Sequence, residues 1–207
     1  MCEEYGYIFG GDDKIRLKKS VCAYIVKELQ KYTLLDTDFD YKGSAYEEIV
    51  GANSRGDRGE FFTPRNLCAL AIGILRQIVG DDKFSKVKII DPACGTGGFL
   101  RSFVHTLYGM LTNRESKKWK TPQEAKEKAI ARLKDICDRN VFGIDFNPVL
   151  VRAAQMNLVM HGDGSSNVFH ENSLLSPGEW SSETRQKVVD GSFDAVITNP
   201  PFGDDLS

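Results

Sequence analysis

The stretch from Val87 to Phe99 constrains this chain more than any other. The apolar run Val87-Lys88-Ile89-Ile90 leads into Asp91-Pro92-Ala93-Cys94-Gly95-Thr96-Gly97-Gly98, and a helical pattern begins at Phe99. A short apolar run that stops at glycines reads as a buried strand, and an immediate change to a 3.6-residue period reads as a helix. Strand, tight glycine loop and helix in that order open a parallel sheet, because parallel strands need a crossover between them.

The same rhythm continues downstream. A helix with apolar Phe103, Val104 and Leu107 is expected from Phe99 to Leu111, followed by a charged loop from Asn113 to Lys120. Thr121-Pro122-Gln123-Glu124 caps the next helix, which runs to about Cys137. Val141 to Ile144 is a strand, and Asn147-Pro148 opens a helix through Leu150, Ala154, Leu158 and Met160 that ends at Gly162. Val168 to His170 and Phe193 to Thr198 read as further strands. The expected class is α/β, a parallel sheet with helices on both faces.

Upstream of that core the pattern is helical. Val21, Ile25, Leu29 and Tyr32 lie at near-helical spacing between Ile15 and Leu35. Ser44-Ala45-Tyr46-Glu47 reads as a capping box for a short helix through Ile49 and Val50, and Asn53 to Arg58 as a polar loop. Thr63-Pro64 reads as an N-cap followed by proline in the first helical position, with Leu67, Leu70, Ala71, Ile74, Leu75 and Ile78 forming the apolar face and Gly80-Asp81-Asp82 the stop. This divides the chain into a helical N-terminal segment, 1–58, and a core, 59–207.

Charge and cysteine content narrow the setting. Lys and Arg number 27 against 29 Asp and Glu, a net charge of -2, so a basic face for a nucleic-acid backbone has to be local. Arg114, Lys117, Lys118 and Lys120 form one such cluster, although a solvated charged loop accounts for it as well. The five cysteines include no C-x-x-C pair, so neither a metal site nor a disulfide framework is indicated. No apolar run approaches a membrane span and no signal-peptide pattern is present, so a reduced, cytoplasmic setting without membrane is expected.

Ligands of such sheets sit beyond the carboxyl ends of the strands. Asp91 occupies that end of the first strand, and Gly95 and Gly97 allow a close approach of backbone to ligand. Leu100 stands where a dinucleotide fingerprint wants glycine, and the glycine loop carries no Lys-Ser/Thr pair to hold phosphates. An uncharged linker between a nucleoside and an amino-bearing tail fits what remains, and S-adenosylmethionine matches that description. Asp145, ending the second strand, is suited to a ribose diol, and Phe146 to the flank of an adenine ring.

The second signature is Asn199-Pro200-Pro201-Phe202, directly after Phe193-Asp194-Ala195-Val196-Ile197-Thr198. Two prolines stiffen the backbone and remove two N–H donors, leaving a carbonyl and the Asn199 side-chain oxygen to accept hydrogen bonds. Two acceptors aimed at one exocyclic amino group draw its lone pair out of conjugation. Phe202 offers a face for a flat base, which has to be flipped out of a duplex to reach it.

These residues resemble an N6-adenine DNA methyltransferase, specifically the modification subunit of type I restriction–modification systems. The similar stretches are Asp40–Glu47, Gly59-Glu60-Phe61-Phe62-Thr63-Pro64-Arg65, Asp91–Gly98, Gly143–Pro148 and Asn199–Phe202, in the family's order. The resemblance implies a Rossmann-like S-adenosylmethionine-dependent methyltransferase fold. It implies that Phe61, Thr63 and Pro64 lie over the cofactor's methionine end, with Asp91, Ala93, Gly95, Thr96 and Gly97 forming the loop beneath. It places Asp145 and Phe146 at the nucleoside, and Asn172 near the adenine, where the family often has Asp. Asn199, Pro200 and Phe202 become the catalytic group, with Asn199 also beside the cofactor.

The expected function is site-specific methylation of adenine N6 in DNA within a restriction–modification system, with specificity and restriction subunits as partners of the full-length protein. The chain stops five residues after Phe202, so an incomplete core, with an open strand edge that favours self-association, is expected. Two other readings stand beside it. A planar amide or RNA base is a substrate of similar shape, and a fragment that binds cofactor without turnover is a third reading.

Overall fold

The computed structural model describes residues 14–31, 63–161 and 165–200. The Ser44–Glu47 capping box, the 53–58 loop, Phe61, Gly162, Pro201 and Phe202 lie outside the described residues. In chain order the described elements are α1 (Lys19–Leu29), α2 (Arg65–Val79), α3 (Asp81–Phe84), β1 (Ile89–Asp91), α4 (Gly98–Glu115), α5 (Pro122–Asn140), β2 (Val141–Asp145), α6 (Pro148–Met160), β3 (Val168–His170), α7 (Ser182–Lys187) and β4 (Ala195–Val196). Short 3-10 turns at Ser165–Asn167 and Pro177–Glu179 complete the set.

The four strands form one parallel sheet in the order β3-β2-β1-β4. The chain steps outward from β1 to β3, then returns across the sheet to place β4 on the other side of β1. The strand order therefore reverses between β1 and β4, the point at which open α/β sheets form a ligand crevice beyond the strands' carboxyl ends.

The pleat sends alternate side chains to opposite faces. Ile89, Val141 and Val168 enter a large core with Ile72 of α2, Phe103 and Leu107 of α4, Leu133 of α5 and Leu158 of α6. Ile90, Phe142, Ile144 and Phe169 enter a smaller core on the other face, closed by Val188, Trp180 and Phe193. Both faces of the strands are thus covered, which explains their nearly continuous apolar sequences.

Local chemistry sets the helix starts. Thr121 Oγ1 accepts the N–H of Glu124 at 3.2 Å, with Pro122 at the first helical position of α5. Asn147 Oδ1 accepts the N–H of Val149 at 2.9 Å, and Pro148 starts α6. Gly80 stops α2 at φ +80, a conformation that L side chains rarely adopt.

The structure departs from the sequence reading in several places. Pro64 is itself the N-cap of α2 and Thr63 lies outside the helix, with its hydroxyl turned to another partner. Helix α4 runs on to Glu115, because that residue is buried and joins Trp119, Lys118 and Arg132 in hydrogen bonds of 3.0, 3.2 and 3.5 Å. Helix α1 is shorter than the Ile15–Leu35 pattern and buries no residue. Helices α3 and α7 have no counterpart in the sequence reading.

Strand β4 is only two residues long, because Phe193 and Asp194 do other work. Asp194 clasps Lys88 by accepting its N–H at 2.8 Å and donating to its carbonyl at 2.9 Å. Phe193 meets Phe142 edge-on at 5.2 Å, and the Lys88 ammonium lies 4.5 and 4.6 Å from the two rings. Ile197 still donates to the Ile90 carbonyl at 3.0 Å, which carries the alignment on to Thr198.

Gly143 is where the glycine loop meets β2. A Cβ there would lie 2.8 Å from Leu100 Cδ1 and 3.1 Å from Cys94 Sγ. Gly143→Ala is expected to destabilise the fold by about 1–3 kcal/mol through overpacking, read from urea unfolding. Gly109→Ala, in a helix with nothing within 4 Å of the added carbon, serves as control and is expected to stabilise slightly or leave the midpoint in place. Equal midpoints for the two variants would remove the packing argument.

Candidate active site

The carboxyl ends of the strands gather Asp91, Asp145 and His170, with Thr198 and Asn199 just past β4. The loop between β1 and α4 is built by hydrogen bonds to this edge. Asp91 Oδ1 accepts the N–H of Ala93 at 3.1 Å, which turns the chain as it leaves the strand. Cys94 N donates to the Ile144 carbonyl at 2.9 Å, and Gly95 N to Asp145 Oδ2 at 2.8 Å. The second oxygen of Asp145 accepts Asn147 N at 2.8 Å. From α6, Asn157 Nδ2 donates to the Thr96 carbonyl at 3.1 Å.

Two loop glycines need their freedom. Gly95 has φ +55 and Gly97 φ +80. At Gly97 an added Cβ would also come within 3.3 Å of Ala154 Cβ, so α6 packs directly on the loop backbone. The sequence assigned these glycines to ligand approach. In the structure the Gly95 N–H is engaged by Asp145, and Gly97 serves close helix–loop packing.

Asp91 is 1% exposed. Burial is the main cause that pushes its carboxyl up to about 6, with the negative charge of Asp145 adding to it. Hydrogen bonds from the Thr198 side chain and the Ala93 N–H act the other way. The group has no cation beside it among these influences, which leaves a buried carboxyl short of positive charge. Cys94, also buried, has its thiol pushed up by desolvation and by Asp91 and Asp145, so it is a packing residue and not a nucleophile.

Phe146 stands 72% exposed just past Asp145. Its carbonyl meets His170 Nε2 at 2.8 Å, and the two rings lie 6.4 Å apart. Its ring is therefore free to take a flat partner while its backbone is pinned. Asn172, after β3, accepts the Leu174 N–H at 3.0 Å through Oδ1, and its carbonyl accepts Trp180 Nε1 at 2.9 Å. Beside it Glu171 accepts Ser181 N at 2.9 Å and Thr184 Oγ1 at 2.8 Å, tying the start of α7 to the end of β3. Burial raises the Glu171 carboxyl, but these hydrogen bonds win and hold it below the usual range.

Across the crevice, Asn199 Nδ2 donates to Thr63 Oγ1 at 3.1 Å over a separation of 136 residues. The segment ahead of α2 and the segment after β4 thus meet at the reversal point. Adjacent Thr198 reaches Asp91. Pro64 and Pro200 flank these contacts, while Phe61 and Phe202 lie outside the described residues. Of the residues singled out from sequence, Thr63, Asp91 and Asn199 are linked through Thr198 and Asn199, and Asp91, Ala93, Gly95 and Asp145 through the loop. Phe146 and Asn172 lie farther along the edge, past β2 and β3.

Thr198, Gly143, Asn157, His170 and Glu171 were not assigned site roles from sequence. Gly143 belongs to the Gly143–Pro148 stretch already noted, and Thr198 immediately precedes the clamp. The other three carry no local signal, since their partners lie 10 to 61 residues away.

Comparison with known proteins decides the family. The N-6 DNA Methylase family matches residues 37–207. The chain belongs to this family. A type II restriction enzyme and methyltransferase, RM.BcgI of Heyndrickxia coagulans, is 28% identical over 170 residues, covering 81% of this chain and 22% of that protein. The EcoEI type I restriction enzyme methylase subunit of Escherichia coli is 28% identical over 165 residues, 78% of this chain and 27% of its own length. The corresponding MjaIX subunit of Methanocaldococcus jannaschii is 29% identical over 172 residues, 80% and 23%. The chain therefore spans about a quarter of the length of these relatives.

The charge state of Asp91 yields a prediction. With its carboxyl raised to about 6, the folded chain keeps a proton that the unfolded chain has lost. The associated stability is complete below the ordinary carboxyl value and disappears as pH rises through about 6. Asp91→Asn keeps the acceptor for Ala93 and removes the charge. It is expected to gain stability relative to the parent between pH 4.5 and 7.5, by on the order of 2–3 kcal/mol in urea titrations without ligand. Parallel pH dependences for parent and variant would contradict the assignment.

Proposed function

We propose that this chain carries the cofactor-binding and target-base-binding part of a site-specific DNA (adenine-N6) methyltransferase of a restriction–modification system. The observation that carries the reading is the meeting of the Thr63 and Asn199 segments at the strand-order reversal, beside Asp91 and the glycine loop. Membership of the N-6 DNA methylase family supplies the chemical class.

S-adenosylmethionine fits the edge on three counts. Asp91 is a carboxyl raised by burial and by the neighbouring charge of Asp145, which suits an ammonium group. Asp145 is half-buried, and each of its oxygens accepts one backbone N–H, leaving a lone pair on each for a diol. Phe146 is an exposed ring adjoining it. Thr63 and Pro64 border the methionine end in this reading, above Ala93, Thr96 and Gly97, and Asn172 retains two amide protons for a purine ring nitrogen. When bound, the cofactor supplies an electrophilic methyl group.

The chain's own residues handle the acceptor. Asn199 Oδ1 and the Pro200 carbonyl accept hydrogen bonds from the adenine amino group and hold its nitrogen lone pair out of the ring's conjugation. Phe202 takes the flipped base on its face. Catalysis is then positioning of two reactants and needs no strong base. By the resemblance, the whole protein has specificity and restriction subunits as partners, DNA as substrate and the cytoplasm as its setting, and the type I restriction enzyme methylase subunits among the relatives favour that reading. No helix among the described residues is long and apolar enough to cross a membrane.

Calorimetric titration with S-adenosylmethionine is the first test. The parent chain is expected to bind, and Asp145→Ala to weaken binding by about 1–3 kcal/mol, the scale of a charged hydrogen bond. Undiminished affinity in that variant would refute the diol role. Radiolabelled methyl transfer then separates substrates. With the remaining segments of such a methyltransferase supplied, adenine-containing DNA is expected to be labelled, and Asn199→Ala to lose that turnover while keeping cofactor affinity; the chain by itself is not expected to methylate DNA. Label on cytosine, on a glutamine side chain or on RNA would overturn the adenine assignment, and binding without transfer to any of these would identify a non-catalytic chain.

A further inference from the structure

We propose that Thr63 is a positioning residue for the Asn199 carboxamide, holding that amide in place where the acceptor base meets it. The inference rests on the reading above and adds a role that the resemblance does not give to Thr63. From sequence, Thr63 reads as a helix cap or as a cofactor neighbour. In the structure Pro64 holds the cap position, no side chain caps α2, and the Thr63 hydroxyl accepts Asn199 Nδ2 at 3.1 Å.

The chemistry of the amide makes the bond consequential. A carboxamide has a donor end and an acceptor end of nearly equal shape, and rotation by half a turn exchanges them. An exocyclic amino group presents protons, so it is held by Oδ1 and repelled by Nδ2. The Thr63 hydroxyl engages Nδ2, and no described residue donates to Oδ1. The acceptor end is thereby left for the base; the opposite rotamer keeps a Thr63 bond, the hydroxyl then donating to Oδ1, but faces the amino group donor against donor, so the base selects the end of the amide and Thr63 fixes where it stands.

Backbone supports on both sides make the lock rigid. Asn199 lies just past β4, whose strand alignment with β1 extends through the Ile197 to Ile90 hydrogen bond at 3.0 Å. Thr198, one residue earlier, is hydrogen-bonded to Asp91 at the base of the glycine loop. Thr63 is held one residue ahead of Pro64, whose carbonyl accepts Leu67 N at 2.9 Å and Cys68 N at 3.1 Å. The hydroxyl and the amide are therefore fixed by separate elements, α2 and β4, and neither has to be ordered by the other.

The test compares Thr63→Val, which keeps shape and removes the hydroxyl, with Thr63→Ser, which keeps the hydroxyl. In 15N-labelled chain the Asn199 side-chain amide pair is assigned by its disappearance in Asn199→Asp. Thr63→Val is expected to shift the hydrogen-bonded proton of that pair upfield and speed its exchange at least tenfold, and Thr63→Ser to restore both. In methyl-transfer assays Thr63→Val is expected to lower kcat about tenfold with cofactor Kd within twofold, and to cost nothing further in an Asn199→Ala background. An Asn199 amide pair unchanged by Thr63→Val overturns the proposal. So does a tenfold rise in cofactor Kd at full kcat, which would make Thr63 a cofactor ligand. If the parent, supplied with the remaining segments, labels no adenine while the amide pair responds as expected, the adenine reading fails and the positioning of Asn199 stands.

Discussion

Asp145 accepts backbone N–H groups from two sides, Gly95 through one carboxylate oxygen and Asn147 through the other, each at 2.8 Å. The first bond spans 50 residues and fastens the glycine loop to the end of β2. The second turns the chain from β2 into the Asn147 cap and α6. α6 then returns to the loop, where Asn157 holds the Thr96 carbonyl and Ala154 packs on Gly97. Loop, strand end and helix start thus share one anchor. Each donor would be costly to leave unpaired at a half-buried site. A carboxylate has about four acceptor positions, so this structural duty is compatible with the ribose contact proposed for it.

The same anchor has an electrostatic consequence. Two carboxylates stand at neighbouring strand ends, and the deeper one, Asp91, is deprived of water. Its raised value reflects first that burial and second the charge of Asp145. Uncompensated negative charge around the loop costs stability near neutral pH and suits the cationic ligand proposed for this edge. Perturbed groups cluster at ligand sites, and this one lies where the sheet geometry places ligands.

On the other side of β1 the crevice brings in a different chemistry. Asn199 contributes hydrogen-bond acceptors and no charge, which suits a neutral amino group better than an amine. The Thr63 bond holds it in place, and the Thr198 bond connects it to Asp91. In the proposed reading, cofactor chemistry and acceptor chemistry are thereby joined through adjacent residues of one segment. Membership of the N-6 DNA methylase family agrees with such a pairing, while the relatives' greater length means that reading DNA sequence and assembling with other subunits involve more than this stretch.

The sequence by itself determined the α/β class, the strand–loop–helix unit around Asp91, the caps at Thr121 and Asn147, and the placement of Asp145 at a strand end. These follow from local rules: apolar period, glycine at positive φ, side-chain capping and proline at helix starts. It misjudged Thr63 and β4 because their states depend on distant partners. Thr63 lost its cap role to a bond with a residue 136 positions away. Phe193 and Asp194 left the expected strand because Lys88 and Phe142, on other strands or beside them, offered a clasp and an aromatic contact. Only the tertiary structure decided the strand order β3-β2-β1-β4, and with it the neighbours of Asn199. Local periodicity specifies which residues form a strand, but the neighbour of that strand is chosen by burial of both sheet faces at once.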